Sequence, residues 1–149
     1  MSIVVERAFA VGAPPDAVLD YMRDFGNIAE WDPATRRSVR VDDGPIRVGS
    51  CWHHESRVRG VTTELTYTLC HDADGRLVFT GRNEVASSTT TVIVQPLPLG
   101  CGVIYHLDLE RHGVAKLATP VMKIEYERLG TQSAQRLAEV LGRLASQAS

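Results

Sequence analysis

The chain has 149 residues, of which 44% are hydrophobic and 23% charged. That is enough apolar material for one buried core and too much for a disordered chain, and no stretch approaches the roughly eighteen apolar residues of a membrane-crossing helix. Sixteen Lys plus Arg against eighteen Asp plus Glu leave a formal charge of −2, which provides no broad positive field to gather phosphate backbones and argues against nucleic acid as a partner.

Further exclusions follow from particular residues. Glu6 and Arg7 interrupt the first apolar run, and no basic head precedes it, so a signal peptide is not expected. Cys51, Cys70 and Cys101 are odd in number and lack CxxC spacing, so reduced thiols in a cytoplasm are the simplest reading. No metal site or other cofactor is expected. The basic run "RRSVR" (36–40) is flanked by Asp32, Asp42 and Asp43 and reads as a solvated strand end. One domain spanning 1–149 is expected, with monomer and homodimer both open.

In chain order, "SIVVERAFAVG" alternates Ile3, Val5, Phe9 and Val11 against polar or small residues, the period of a half-buried strand ending at Gly12. Pro14, Pro15 and Asp16 then open a helix carrying Val18, Leu19, Met22 and Phe25 at helical spacing. Gly26 and Pro33 confine "FGNIAEWDP" to one or two helical turns, with Ile28 and Trp31 on one side. From Thr35 to Arg111, breaks at Asp43-Gly44-Pro45, Gly60, Asp74-Gly75, Ser87-Ser88 and Leu97-Pro98-Leu99-Gly100 divide the text into six strands at hairpin spacing, an antiparallel meander.

Helical period returns after Gly113, with a start at Thr119-Pro120 or a turn earlier at Val114. The inward stripe reads Tyr126, Gly130, Ala134, Leu137, Leu141 and Leu144. Gly130 and Ala134 present almost no side chain, so unfilled space is expected between this helix and the sheet.

Strand, helix, short helix, six strands and a long last helix is the order of the helix-grip fold, an α+β architecture in which a seven-stranded antiparallel sheet wraps around the terminal helix. The local text resembles the polyketide cyclase/dehydrase branch of the START-like (SRPBCC) superfamily. The resemblance rests on "VGAPPDAVLDYM" entering the first helix, "FGNIAEWDP" with its Trp-Asp-Pro, "GPIRVGS" and "PLPLGCGVIYHLDLE". It covers nearly the whole chain, departing at "LGCG", where relatives more often have Gly-Gly-Thr. It implies a hydrophobic tunnel between sheet and helix that takes lipids, sterols, polyketides or aromatic compounds. Some members catalyse cyclisation or dehydration, many carry or sense ligands, and no universal catalytic residue transfers to this chain.

The stretch "WHHESRVRG" (52–60) looks at first like a metal site. On a strand, however, neighbouring side chains point to opposite faces, so His53 and His54 cannot converge on one ion. Trp52 and His54 share one face, and His53, Glu55 and Arg57 share the other. Because tryptophan has the most apolar area to bury, the Trp52 face is assigned to the cavity, with His54 either hydrogen-bonded in the sheet or facing a ligand. Alternation likewise turns Leu65, Tyr67 and Leu69 inward, together with Val103, Tyr105, Leu107 and Leu109. The strand 76–86 does not choose its face; Phe79 and Asn83 are placed inside because burying Arg82 would need a desolvated partner. The candidate ligand-binding set is therefore Trp31 at the mouth, Trp52, His54, Leu65, Tyr67, Leu69, Phe79, Asn83, Tyr105, Leu107, Tyr126, Gly130 and Ala134.

Three functions compete. The first is a carrier or sensor that holds a hydrophobic or aromatic small molecule, a lipid, polyketide or similar compound, between sheet and terminal helix. The second is a polyketide cyclase or dehydratase in which His54, with Tyr67 or Tyr105, moves protons as catalytic residues; only His54 has an ordinary pKa near neutrality. The third is a protein-interaction module, which requires a filled core.

Overall fold

The computed structural model of the protein describes residues 2–113 and 119–148. Its elements are β1 (Ser2–Val11), α1 (Pro15–Arg23), a 3-10 helix (Phe25–Glu30), β2 (Thr35–Arg40), β3 (Cys51–Val58), β4 (Val61–Ala73), β5 (Arg76–Arg82), β6 (Ala86–Leu97), β7 (Gly100–Arg111) and α2 (Thr119–Ala148). The seven strands form one antiparallel sheet in the order β1-β7-β6-β5-β4-β3-β2. Each strand from β2 to β6 pairs with its successor, while β1 pairs with β7, Ile3 opposite Leu109 and Val5 opposite Leu107. This is the helix-grip architecture expected from the sequence. An earlier helix start at Val114 lies outside the described residues.

Two hairpins have the backbone their turn residues demand. Arg59 and Gly60 take φ of 51° and 79°, Asp74 and Gly75 take 56° and 74°. Two successive positive φ values define the type I′ turn, whose twist matches that of the flanking strands. The turn expected at Ser87-Ser88 falls earlier. Asn83 makes it, its Oδ1 accepting from the Val85 and Ala86 amides at 2.8 Å each. That side chain satisfies the bend locally and releases Ser87 and Ser88 into β6.

The buried stripe of α2 is rotated from the expected one. Met122, Leu129, Gly130, Ser133, Leu137, Val140 and Leu141 are buried, whereas Tyr126 and Ala134 are half-buried. Burying Leu129 and Val140 removes more apolar surface from water than burying Ala134, and this sets the helix's rotation. Gly130 also differs from expectation. It leaves no gap over β1: a Cβ added there would overlap Val5 Cγ1, so the glycine allows helix and strand to touch. Gly130→Ala is expected to gain about 1 kcal/mol of helix propensity but to lose about 1–3 kcal/mol to overpacking. A lower urea midpoint is the expected result; a higher one would mean that α2 stands off β1. Beside this contact Arg7 Nη2 donates to the Glu127 carbonyl (3.1 Å), to Glu127 Oε2 (2.9 Å) and to Thr131 Oγ1 (3.2 Å), fixing the register of helix on strand.

The interior has two unlike halves. Under α1 and the 3-10 helix it is solid. Phe25 lies 4.4 Å from Tyr67, 4.8 Å from Phe79 and 6.2 Å from Trp52, centroid to centroid, with Leu69 and Leu77 fully buried nearby in the same core. Trp52 Nε1 donates to Asp24 Oδ1 at 3.1 Å, which satisfies the one polar atom of that side chain. Under the first half of α2 the interior is hollow.

Candidate functional site

The hollow is a cavity of about 70 Å³. Its aliphatic wall includes Val5, Leu65, Leu107, Leu109 and Leu129; its polar wall includes Asp32, His54, Tyr67, Ser88, Tyr105 and Ser133, with Tyr126, Gly130 and Arg111 completing the ring. Strand alternation explains the grouping. β3 turns Trp52, His54, Ser56 and Val58 inward and leaves His53, Glu55 and Arg57 outward. The cavity lies under the His54 end of that row, whereas Trp52 belongs to the solid half.

The candidate residues therefore divide. His54, Leu65, Tyr67, Tyr105, Leu107, Tyr126 and Gly130 line the cavity. Trp52, Leu69 and Phe79 face the same side of the sheet but are packed solid beneath α1 and the 3-10 helix. Trp31 is 3% exposed, edge-on to Tyr105 at 5.4 Å, a core residue instead of a mouth residue. Ala134 is turned off the cavity by the rotation of α2. Asn83 is not inside: it closes the β5–β6 turn, donates from Nδ2 to the Glu64 carbonyl at 2.9 Å, and borders a shallow open groove with Val61 and Val85. The face of β5 left open by the sequence is settled as Leu77, Phe79 and Gly81 inward.

Tyr67 leans across Gly81, where a Cβ would come within 2.8 Å of its ring, and its ring stands nearly perpendicular to that of His54, centroids 5.2 Å apart. Ser88 lies near enough to the Tyr67 hydroxyl to favour its phenolate, yet Ser88 Oγ makes no hydrogen bond of normal geometry among the described residues. Burial raises the phenol pKa values of Tyr67, Tyr105 and Tyr126, that of Tyr126 to about 12. All three are neutral donors at physiological pH.

Asp32, Ser88 and Ser133 were not singled out from the sequence. Asp32 Oδ1 accepts from the Ala34 amide (3.1 Å) and Ser133 Oγ (3.4 Å), and its Oδ2 accepts from Thr35 Oγ1 (2.7 Å). The Thr35 hydroxyl in turn meets His54 Nε2 at 3.0 Å. Although Asp32 as a residue is only half-buried, desolvation raises its carboxylate pKa, opposed by the hydrogen bonds from Thr35, Ala34 and Ser133. The sequence signal was the Asp-Pro of "WDP", which suits a side chain bonding its own backbone two residues on. Ser88 gave no signal, since after Ala86 β6 continues as an unbroken run of Ser and Thr through Thr91.

Burial pushes the His54 pKa down to about 4, and the charge of His53 adds to the shift. Between the ordinary value near 6.5 and 4, the unfolded chain takes up a proton that the folded chain refuses, so stability falls as pH drops through this window. The expected loss is about 3 kcal/mol. Asp32, with a raised pKa, acts in the opposite sense: the stability it contributes is full below the ordinary carboxylate pKa and is lost as pH rises through its folded value. Urea denaturation of the native protein and His54→Gln at pH 7.5, 5.5 and 4.5 isolates the histidine. The gap between the two is expected to narrow toward low pH; a constant gap would contradict the neutral, buried imidazole.

Fold and cavity together define a START-like helix-grip protein with an internal site of mixed polarity. The chain belongs to the polyketide cyclase/dehydrase and lipid transport family, whose model matches residues 2–142. Among solved structures it is similar to the Zhui aromatase/cyclase from Streptomyces sp. R1128, with a TM-score of 0.75 and 13% identity over 99% of this chain and 95% of that one. A START superfamily protein from Mycobacterium smegmatis gives 0.65 and 15% identity, over 98% and 99%. The di-domain ARO/CYC StfQ of the steffimycin biosynthetic pathway gives 0.72 and 11%, and this chain spans 52% of its length. At these identities the likeness is one of fold. The comparison with curated protein sequences found no match. Among the described residues no helix is long and apolar enough to cross a membrane, and no group of His, Cys, Asp and Glu is placed to hold a metal ion.

Proposed function

We propose that the chain binds a hydrophobic or aromatic small molecule, a lipid, polyketide or similar compound, in the cavity between the sheet and α2, and carries or senses it in the cytoplasm without changing it. The observation that carries this reading is a largely apolar cavity in which two buried polar atoms, His54 Nδ1 and Ser88 Oγ, make no hydrogen bond of normal geometry among the described residues. A buried polar atom without a partner costs about 1–3 kcal/mol, which a ligand hydroxyl or water would recover.

At about 70 Å³ the cavity is smaller than the roughly 150 Å³ that admits benzene and the roughly 300–1,000 Å³ of ordinary ligand sites. Binding therefore parts the walls, of which Leu107 and Tyr126 are the half-buried aliphatic and aromatic members. Native mass spectrometry of the recombinant protein, compared with a denaturing spectrum, tests the reading. A small-molecule adduct retained only in the native spectrum is expected; bare protein after exposure to lipid and aromatic extracts would contradict it.

The clustering of His54, Tyr67 and Tyr105 favours a second reading as a cyclase or dehydratase. Against it, an imidazole with a pKa near 4 is a weak base and phenols held above their ordinary pKa are weak acids, whereas proton transfer works best from groups matched to the working pH. His54→Ala with unchanged turnover of a polyketide substrate would remove that role.

A further inference from the structure

Resting on the ligand-cavity reading, we propose that Asp32, acting through Thr35, fixes the tautomer of His54 so that Nδ1 is a hydrogen-bond acceptor reserved for a hydroxyl-bearing ligand. With Asp32 ionised, the chain of donors has one direction. The Ala34 amide is an obligatory donor and points at Asp32 Oδ1 (3.1 Å), while Thr35 spends its only hydroxyl hydrogen on Oδ2 (2.7 Å). The Thr35 oxygen is then an acceptor toward His54 Nε2, 3.0 Å away, so Nε2 carries the ring hydrogen. A neutral imidazole protonated on Nε2 has its lone pair on Nδ1, and that ring nitrogen has no hydrogen-bond partner among the described residues. His54 is 5% exposed and lines the cavity, as does Ser88, 3% exposed, whose Oγ likewise makes no hydrogen bond of normal geometry among the described residues.

An acceptor at this point selects ligand chemistry. A phenolic, enolic or alcoholic O–H can complete the bond to Nδ1; a carbonyl or ether oxygen in the same place would oppose lone pair to lone pair. The unpartnered Ser88 hydroxyl, able to donate or accept, adds a second point for an oxygen-bearing group. Thr35 does not line the cavity, and Asp32, although part of its wall, acts on His54 through Thr35; in this scheme both are positioning residues.

Asp32→Asn supplies the test, because it reverses the chain. The Ala34 amide still requires an acceptor, so the asparagine oxygen takes the Oδ1 place and its NH₂ faces Thr35. Thr35 must then accept from the amide and donate to His54 Nε2, which moves the ring hydrogen to Nδ1. In ¹⁵N-labelled protein at pH 7.5, long-range ¹H–¹⁵N spectra of the His54 ring are expected to show Nδ1 unprotonated in the native chain and protonated in Asp32→Asn. Thr35→Val is expected to mix the two tautomers and Thr35→Ser to restore the native one. Affinity for 1-naphthol against 1-methoxynaphthalene, which differ in the donor hydrogen, is expected to favour the naphthol about tenfold in the native protein, a preference lost in Asp32→Asn.

A native His54 with Nδ1 protonated, or a tautomer unmoved by Asp32→Asn, overturns the assignment. If the tautomers behave as stated but the two probes bind equally, the ligand role of Nδ1 is overturned while the relay stands. If neither probe binds, the cavity reading itself fails, and with it the selection of a hydroxyl.

Discussion

Trp52→Ala is expected to lower the unfolding free energy by about 3–5 kcal/mol, the largest effect of any single truncation considered for this protein. Trp52 is fully buried, meets Phe25 and Phe79, and donates to Asp24 at the junction of α1 and the 3-10 helix. Its removal opens a void in the solid half of the core and leaves the cap of the 3-10 helix without one of its donors. A domain of this kind is stable by roughly 5–15 kcal/mol, so the variant stands near the limit of folding. The effect on ligand should be secondary: Trp52→Phe, which keeps a ring in the site, is expected to bind 1-naphthol as the native protein does. Urea denaturation with tryptophan fluorescence from Trp31 reads the stability change, and a loss below 1 kcal/mol would contradict the packing described.

The second large effect concerns the cavity. Ser88→Leu is expected to weaken 1-naphthol binding about a hundredfold, equivalent to about 3 kcal/mol, because the added atoms project into the cavity that Ser88 lines. Stability should change much less. The overpacking cost, about 1–3 kcal/mol, is offset by removal of a buried hydroxyl that has no partner, worth about the same. Ser88→Ala keeps the space and should retain binding. Native-like affinity in Ser88→Leu would place the ligand elsewhere.

The division between what the sequence made legible and what it did not follows the range of the forces involved. Strand alternation is local, so the inward rows of β3, β4 and β7 could be read directly, and the Asp74-Gly75 turn declared itself by residue type. The order of elements, read with the quoted motifs, was enough to name the helix-grip fold. The face of β5 was ambiguous because Phe79 and Asn83 share a periodicity but not a destination: one is packed under Phe25, the other closes a turn. Gly130 illustrates a different limit. A glycine toward a sheet signals either a gap or a close approach, and only the position of Val5 on β1, more than a hundred residues away in sequence, decides for contact. The division of the interior into solid and hollow halves was equally hidden, since it depends on where α1 and the 3-10 helix come to rest. Ser88 and Ser133 gave no hydropathy signal. Asp32 was in view within "WDP", but its link through Thr35 to His54 joins three segments that meet only after folding.

The central claim is that the space between β3–β7 and the first half of α2 opens to receive a small apolar molecule. Intermolecular NOEs from bound 1-naphthol to the methyl groups of isotope-labelled protein test it most directly. The account predicts contacts to Leu65, Leu107 and Leu129 together, three residues brought to one cavity by β4, β7 and α2. Contacts confined to Val61 and Val85 in the open groove at the hairpin ends, with none to those three leucines, would contradict it.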